Sequence, residues 1–504
     1  MRYIPFFLLF FALVSCKDRP PSLEYLGVVN IEISGKQKAL PNFEKGLLLL
    51  HSFEYEDARD AFKSAQQIDP QMPMAYWGEA MTYNHSLWGE QDYDDGIEVL
   101  AKLKNMDLNQ KATELERDFI EAVGVLYEPK KEKADRDQAY SDFMKGLTQK
   151  YPANHEVAAF YALSLLGVAP EDRDESLYQT GATIAQRIIQ ENPNHPGALH
   201  YLIHSYDDPN HAPLALDAAN AYAKVAPDAS HALHMPSHIY AALGMWDEVI
   251  SSNINSYGAS VNRKERKKMD NDALGYHAYH WLEYGYLQKE NPEEAKQMVL
   301  NMTQFTTERP SKRARFHNVF LKGTYLVETS DWLGDIADIV VDVADLNISI
   351  RSQYHFLDGM KAYTKGDRAG LELVINKMAQ DEDRSSFVLT NGAAKLCSNV
   401  TRDEVSKRDI SESQIRQFQL KGLAATMDKN LELAEEFFLK SIELESSLSY
   451  SYGPPSIQKP THELYADWLV TQQNYKTAEV HYKKCLDNRP NRLLSLKGIE
   501  QISL

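Results

Sequence analysis

Small residues recur along this chain at a step of 34 residues. In the stretch 39–72, positions 8, 20 and 27 are Gly46, Ala58 and Ala65. The same three positions are small in the stretches 415–448 and 459–492, which carry Gly422, Ala434, Ser441, Ala466, Ala478 and Cys485. Because a small residue lets two helices approach closely, a fixed step of this kind predicts helical hairpins stacked on one another.

Aromatic residues and a proline complete the repeat. Tyr55 and Phe62 occupy positions 17 and 24 of the first copy, and Pro70 follows at position 32. Weaker copies begin at residues 73, 196, 230, 276 and 352. The pattern resembles the tetratricopeptide repeat (TPR), and this resemblance implies a right-handed helical-hairpin solenoid with a concave face. Strand alternation is hard to find, so we expect an all-α chain.

The first sixteen residues resemble a bacterial lipoprotein signal. Arg2 precedes an apolar run over 4–13, and residues 13–16 read LVSC, a lipobox-like end whose cysteine becomes diacylated. The run is shorter than the ~20 apolar residues that span a bilayer. We therefore expect a lipid anchor on Cys16 that tethers the chain to a membrane of the bacterial cell envelope. Lys17 in the next position favours the outer membrane, and plain secretion is the alternative.

These patterns divide the chain into six segments. We predict a signal peptide in 1–15, a spacer after the lipidated cysteine in 16–38, a TPR-like solenoid block in 39–378, an irregular connection in 379–413, a C-terminal TPR pair in 414–492 and a terminal helix or tail in 493–504. The connection is predicted because that stretch is acidic, rich in serine and weakly periodic.

The charge balance narrows the classes of partner. Asp and Glu number 72 against 54 Lys and Arg, for a net charge of −18. A protein that binds nucleic acid usually has the opposite balance, so we expect no nucleic-acid partner. Three cysteines are too few for a disulfide framework or a cysteine-rich zinc site.

Histidine is concentrated in one part of the chain, since nine of the 16 lie within residues 195–280. His200 and His204 are four residues apart and so share a helix face. A step of 34 residues leads from them to His234 and His238, which have the same spacing, and His280 occupies the corresponding position in the next copy. Stacked repeats therefore predict a histidine cluster on adjacent helices.

The TPR resemblance implies that positions 2, 5, 9, 12 and 13 of each first helix line the concave groove. The segments 75–92, 195–209 and 228–246 also look like a bacterial family of uncharacterised TPR proteins, a resemblance that suggests two further groove residues, His85 and Trp88. The groove and ligand-binding residues so predicted are His200, His204, Asp207, Asp208, His231, His234, His238, His277, His280, Tyr284, His85 and Trp88.

Histidine pairs at i and i+4 often supply two ligands to Zn²⁺. Neither pair here contains the glutamate of the HExxH motif, so a metalloprotease of that type is excluded. The hypothetical ligands of a divalent metal, with Zn²⁺ the first choice, are His200, His204, His234, His238 and His280. Candidate general bases, by residue type alone, are Asp207, Asp208, Glu79 and Glu156.

Two functional hypotheses follow, and neither includes an assigned catalytic residue or a certain cofactor. The first is an envelope lipoprotein whose solenoid binds a protein, a peptide or a small ligand in its concave groove. The alternative is a metal-dependent enzyme, hydrolase- or oxidase-like, that uses the histidine cluster. A third interpretation is packing without function, since Pro236 inside the second histidine pair can kink its helix.

Overall fold

The computed structural model describes residues 25–168, 173–391 and 404–503. The predicted signal peptide, Cys16, the first part of the predicted spacer and part of the predicted connection lie outside these ranges. Within them, no helix combines the length and the apolar character needed to cross a bilayer.

The described chain consists mainly of α-helices joined by short connections. Its first helices are α1 (Leu40–His51), α2 (Tyr55–Ile68), α3 (Pro73–Met81), α4 (Tyr93–Leu103), α5 (Leu108–Lys111), α6 (Glu114–Leu126), α7 (Lys133–Lys150), α8 (His155–Gly167), α9 (Glu175–Glu191), α10 (Pro196–Ser205), α11 (Leu216–Val225), α12 (Ser230–His234), α13 (Pro236–Ala242) and α14 (Trp246–Lys267). They continue as α15 (Tyr276–Gln288), α16 (Pro292–Glu308), α17 (Lys312–Thr329), α18 (Ile348–Thr364), α19 (Arg368–Asn391), α20 (Lys407–Met427), α21 (Leu431–Ser447), α22 (Thr461–Thr471), α23 (Tyr475–Asn488) and α24 (Leu493–Ser503). Two short strands, β1 (Asn84–His85) and β2 (Glu90–Gln91), form an antiparallel pair between α3 and α4.

Helices pack on their neighbours in sequence and also on the next helix but one. Thus α1 contacts α2 and α3, α8 contacts α9 and α10, and α15 contacts α16 and α17. Small residues stand at the crossings: Ala58 and Ala65 are fully buried, and a Cβ added to Gly46 would lie 2.7 Å from the ring of Phe62. The fold is an all-α, TPR-type helical solenoid, and the predicted fold class is confirmed.

The helices next to the predicted irregular connection are longer than the sequence pattern indicates. Helix α19 continues to Asn391, and α20 begins at Lys407. The acidic residues that weaken the periodicity have partners, because Arg351 binds both carboxylate oxygens of Asp381 at 2.7 and 3.0 Å, and Gln414 donates to Glu382 at 2.6 Å. Helix therefore persists in α19 where the hydrophobic pattern fades.

Part of the predicted spacer packs against the solenoid. The amide of Val28 donates to the carbonyl of Asn194 at 2.9 Å, and the Asn192 side chain donates to the carbonyl of Val28 at 2.9 Å. Leu26 is buried beside them. These contacts hold residues 26–29 beside the start of α10.

The C-terminal repeats fold back on the middle of the chain. The indole of Trp246 donates to the carbonyl of Asn491 at 3.0 Å. Gly453, in the connection between α21 and α22, has φ +75°, and a Cβ there would lie 2.1 Å from the ring of Trp281. Because only glycine combines that backbone conformation with so close an approach, this connection lies directly against α15.

Candidate metal centre

Three histidines from two helices meet at their ring tips and form what we term the first histidine trio: His200 and His204 on α10, and His231 on α12. The Nε2 atom of His200 lies 3.0 Å from that of His204 and 3.2 Å from that of His231. The Nδ1–H of His200 donates to the backbone carbonyl of His51 at 2.7 Å. Because a carbonyl only accepts, the neutral ring of His200 has its lone pair on Nε2, facing the other two rings.

A second histidine trio lies beside the first: His234 on α12, His238 on α13 and His277 on α15. Helix α12 ends at His234 and α13 begins at Pro236, because proline interrupts a helix. The ring tips of His234 and His238 converge despite this break. Rings of the two trios approach each other, with centroids 5.6 Å apart for His204 and His238.

The hydrogen bonds of His234 and His238 direct two lone pairs at each other. His234 Nδ1 donates to Asn253 Oδ1 at 2.6 Å, an assignment supported by Asn253 Nδ2, which donates to the carbonyl of Val249. His238 Nδ1 donates to Asp207 Oδ2 at 2.5 Å. In neutral imidazoles both Nε2 atoms then have lone pairs, and they are 3.1 Å apart. A Zn²⁺ ion at ~2.0–2.1 Å from both nitrogens would make an angle of about 95–100° there, which suits a shared cation.

Burial lowers the pKa of His200, His204 and His234, so these three rings are neutral at neutral pH. Burial lowers the pKa of His234 to about 3, and the neighbouring His238 lowers it as well. The pKa of His200 and that of His204 lie well below their ordinary value, mainly through burial and secondly through His204 in the first case and His238 in the other. Metal ligation requires deprotonated imidazole nitrogens, so these rings are ready to bind a cation at neutral pH.

Asp207, just after α10, stands between the two trios. One of its oxygens lies within 4.8 Å of ligand atoms of both His204 and His238. Oδ2 accepts the bond from His238, whereas Oδ1 is buried and has no hydrogen-bond partner. A buried carboxylate oxygen without a partner is costly, and a nearby cation would offset that cost.

A third group of possible ligands, His51, Glu156 and His195, has the hydrogen bonding of a structural network. Glu156 accepts from His51 Nε2 at 2.7 Å and from His195 Nε2 at 3.1 Å. The remaining ring nitrogens are also bonded, to the Tyr201 hydroxyl at 2.9 Å and to the Ala198 amide at 3.1 Å. Every ring nitrogen therefore has a protein partner, and no lone pair is left for a metal ion.

A pocket of about 280 Å³ opens beside the cluster. His204 and Asp207 form part of its wall, so a small polar molecule in the pocket would lie next to the first histidine trio and the carboxylate of Asp207. The ring of Tyr452 lies 5.0 Å from that of His238 and covers it on this side. Further lining residues are Arg173, Tyr178, Arg408, Ser449 and Tyr450.

The structure does not bring His280 or Tyr284 to the cluster. His280 Nε2 is 2.9 Å from the Thr324 hydroxyl, on the side of α15 that faces α17. The Tyr284 hydroxyl accepts from Arg492 at 3.0 Å. The predicted metal ligands were the two i, i+4 pairs and His280. In the structure, His231 and His277 lie with the two pairs, and His280 does not.

The other predicted groove residues border the cluster or lie outside it. Asp208 pairs with Arg173 at 2.8 Å and organises the turn after α10. The ring of His85 stacks on Tyr55 at 4.1 Å, and the ring of Trp88 lies 6.1 Å from that of His231. The short β-hairpin therefore contributes an aromatic border to the first histidine trio.

The remaining general-base candidate, Glu79, is also remote from the trios. It accepts from Gln66 at 2.6 Å and lies 3.3 Å from the Lys63 ammonium. Among the four carboxylates considered, Asp207 alone lies within the cluster.

Several residues that shape the site were not predicted. Asn253 on α14 and the carbonyl of His51 on α1 orient rings that are 19 and 149 residues distant. Tyr452 comes from the connection between α21 and α22, far along the chain from the histidine repeats. Asn253 could have been noticed in the sequence as an amide on the buried face of an amphipathic helix. That pattern did not indicate which histidine ring Asn253 would contact.

No family model matches this chain, and no curated protein is similar to it at a significant level. Solved structures of several helical-repeat proteins align with most of it. The Cut9–Hcn1 hetero-tetramer of the APC/C has 12% identity and a TM-score of 0.37, over 94% of this chain and 78% of that one. Yeast Tom70 has 10% identity and a TM-score of 0.33, over 92% and 88%. A human IFIT1 dimer with m7Gppp-AAAA has 11% identity and a TM-score of 0.34, over 93% and 82%. At these values the likenesses carry no functional argument.

Proposed function

We propose that this protein is a binding scaffold of the bacterial cell envelope that holds a divalent transition metal ion, with Zn²⁺ the first candidate, in its histidine cluster. A repeat solenoid leaves a long continuous surface free, which supports the broader role of binding a protein, a peptide or a small ligand. The proposal concerns binding and includes no reaction.

The pair His234 and His238 carries this proposal. Both rings are buried, and both Nδ1 protons are donated to oxygen acceptors, so two lone pairs face each other at 3.1 Å. Imidazole ligands that donate their second nitrogen to a carboxylate or an amide are the usual arrangement around bound zinc. Imidazole suits Zn²⁺, Cu²⁺, Ni²⁺ and Fe²⁺, while Mg²⁺ and Ca²⁺ prefer oxygen ligands.

Loss of His234 and His238 is expected to remove the bound metal. Untagged protein, loaded with zinc and dialysed, should retain zinc in elemental analysis, whereas the variant His234→Ala with His238→Ala should lose most of it because two ligands of one ion are missing. His280→Ala is the matched control, since His280 is also buried but bonds Thr324 instead.

Circular dichroism of each variant separates loss of metal from loss of fold. A folded double variant that retains zinc as tightly as the parent protein would contradict the proposal. Equal zinc loss in the folded His280→Ala variant would also contradict it.

The envelope location rests on the lipobox-like residues 13–16. The variant Cys16→Ser is expected to move the protein from the detergent-rich to the aqueous phase on phase separation, because a diacyl anchor supplies most of the membrane affinity. Mass spectrometry of the N-terminal peptide should detect the lipid in the parent protein only. An unmodified Cys16, or an uncleaved signal, would overturn this part of the proposal.

A further inference from the structure

The cluster contains more imidazoles than one metal ion uses. The two trios together supply six rings, whereas a zinc site takes three or four protein ligands. Each trio is by itself a complete set, because its three ligand atoms lie within 4.8 Å of one another.

Each trio also has its own orienting partners. In the first histidine trio, the carbonyl of His51 fixes the ring of His200. In the second, Asn253 and Asp207 fix the rings of His234 and His238. Such outer contacts set the tautomer that leaves Nε2 available on His200, His234 and His238, so each trio contains at least one ring already oriented toward an ion.

Asp207 connects the two sets. Oδ2 accepts from His238 of the second trio, Oδ1 has no hydrogen-bond partner, and one of the two oxygens lies within 4.8 Å of the ligand atom of His204 of the first trio. A carboxylate between two cations reduces their mutual repulsion. Neutral imidazole rings supply no negative charge. Among the described residues, Asp207 is the one carboxylate grouped with a histidine of each trio.

We infer that the cluster holds two divalent transition metal ions side by side, one in each trio, with Asp207 between them. The inference rests on the proposed function and deepens it, since it gives the number and the arrangement of the ions. Three protein ligands leave an open coordination position on each ion, and the pocket lined by His204, Arg173 and Arg408 gives an anion or a water molecule a route to the ion of the first trio.

The two least buried members of the trios supply the test. His231 is half-buried and belongs to the first histidine trio only, while His277 is exposed and belongs to the second only. Zinc titration of the untagged full chain, followed by calorimetry and by elemental analysis, should give two tightly bound ions per chain. His231→Ala and His277→Ala should each give one.

A histidine pair remote from the cluster serves as the control. His462 and His481 have Nδ1 atoms 2.8 Å apart in the C-terminal repeats, so His481→Ala removes a close pair without touching either trio. This variant is expected to retain both ions. If it loses one, the second ion belongs to that pair and the inference is wrong.

Copper(II) provides a readout of proximity. The doubly loaded protein should have an electron paramagnetic resonance signal broadened by interaction between the two ions, and each single variant should have the narrow signal of an isolated ion. One ion per chain in the parent protein, lost in both single variants, would overturn the two-ion inference while leaving the proposed function intact. No tight binding by the parent protein would overturn both.

Discussion

Replacing Asp207 by asparagine is expected to weaken zinc binding by about 10- to 100-fold, the usual effect of removing an outer partner of a ligating histidine. The carboxylate accepts the Nδ1–H of His238 at 2.5 Å, and its other oxygen has no partner. Because Asp207 also lies close to His204, its negative charge acts on both trios. Asparagine keeps the shape and removes the charge, which lowers the basicity of His238. Competition with a chromophoric chelator measures the change.

The neighbouring carboxylate is the matched control. Asp208 lies on the same turn but binds Arg173 and His211, each at 2.8 Å. Asp208→Asn is therefore expected to leave zinc affinity unchanged, although it removes one charge as well. Equal weakening by the two variants would mean that the effect is one of overall charge, and it would refute a specific role for Asp207.

The variant Arg492→Ala is expected to lower the free energy of unfolding by about 3–5 kcal/mol, as is usual when one partner of a buried ion pair is removed. Arg492 is fully buried; it binds Glu463 through two bonds of 2.8 and 3.0 Å and lies 2.7 Å from Glu328. Without the guanidinium, two buried carboxylates lose the positive charge they share. Chemical denaturation measures the change.

Arg368→Ala is the control for this prediction. Arg368 also binds two carboxylates, those of Glu372 and Asp428, at 2.8 and 2.9 Å, but all three side chains are substantially exposed. Exposed pairs contribute ~0–1 kcal/mol, so this variant should be nearly as stable as the parent protein. Comparable losses in the two variants would show that burial is not the cause.

All six clustered histidines are among the groove residues predicted from the sequence, and four of them are also among the predicted metal ligands. The pairs 200/204 and 234/238 follow from helical periodicity and the 34-residue step, and the structure brings all four together. The choice between His277 and His280 could not be made in the same way. They are three residues apart on α15, and packing alone turns His277 toward His234 and His280 toward Thr324.

The sequence by itself determined the helical-hairpin repeat and the placing of histidines on adjacent helices, because helical periodicity and close packing at small residues are local properties. Only the tertiary structure decided which rings meet, which nitrogen of each ring is free and what covers them. The carbonyl of His51, the amide of Asn253 and the ring of Tyr452 reach the cluster from distant parts of the chain. Their arrival depends on how the repeats stack and fold back, and that geometry is a property of the whole assembly of helices rather than of any one repeat.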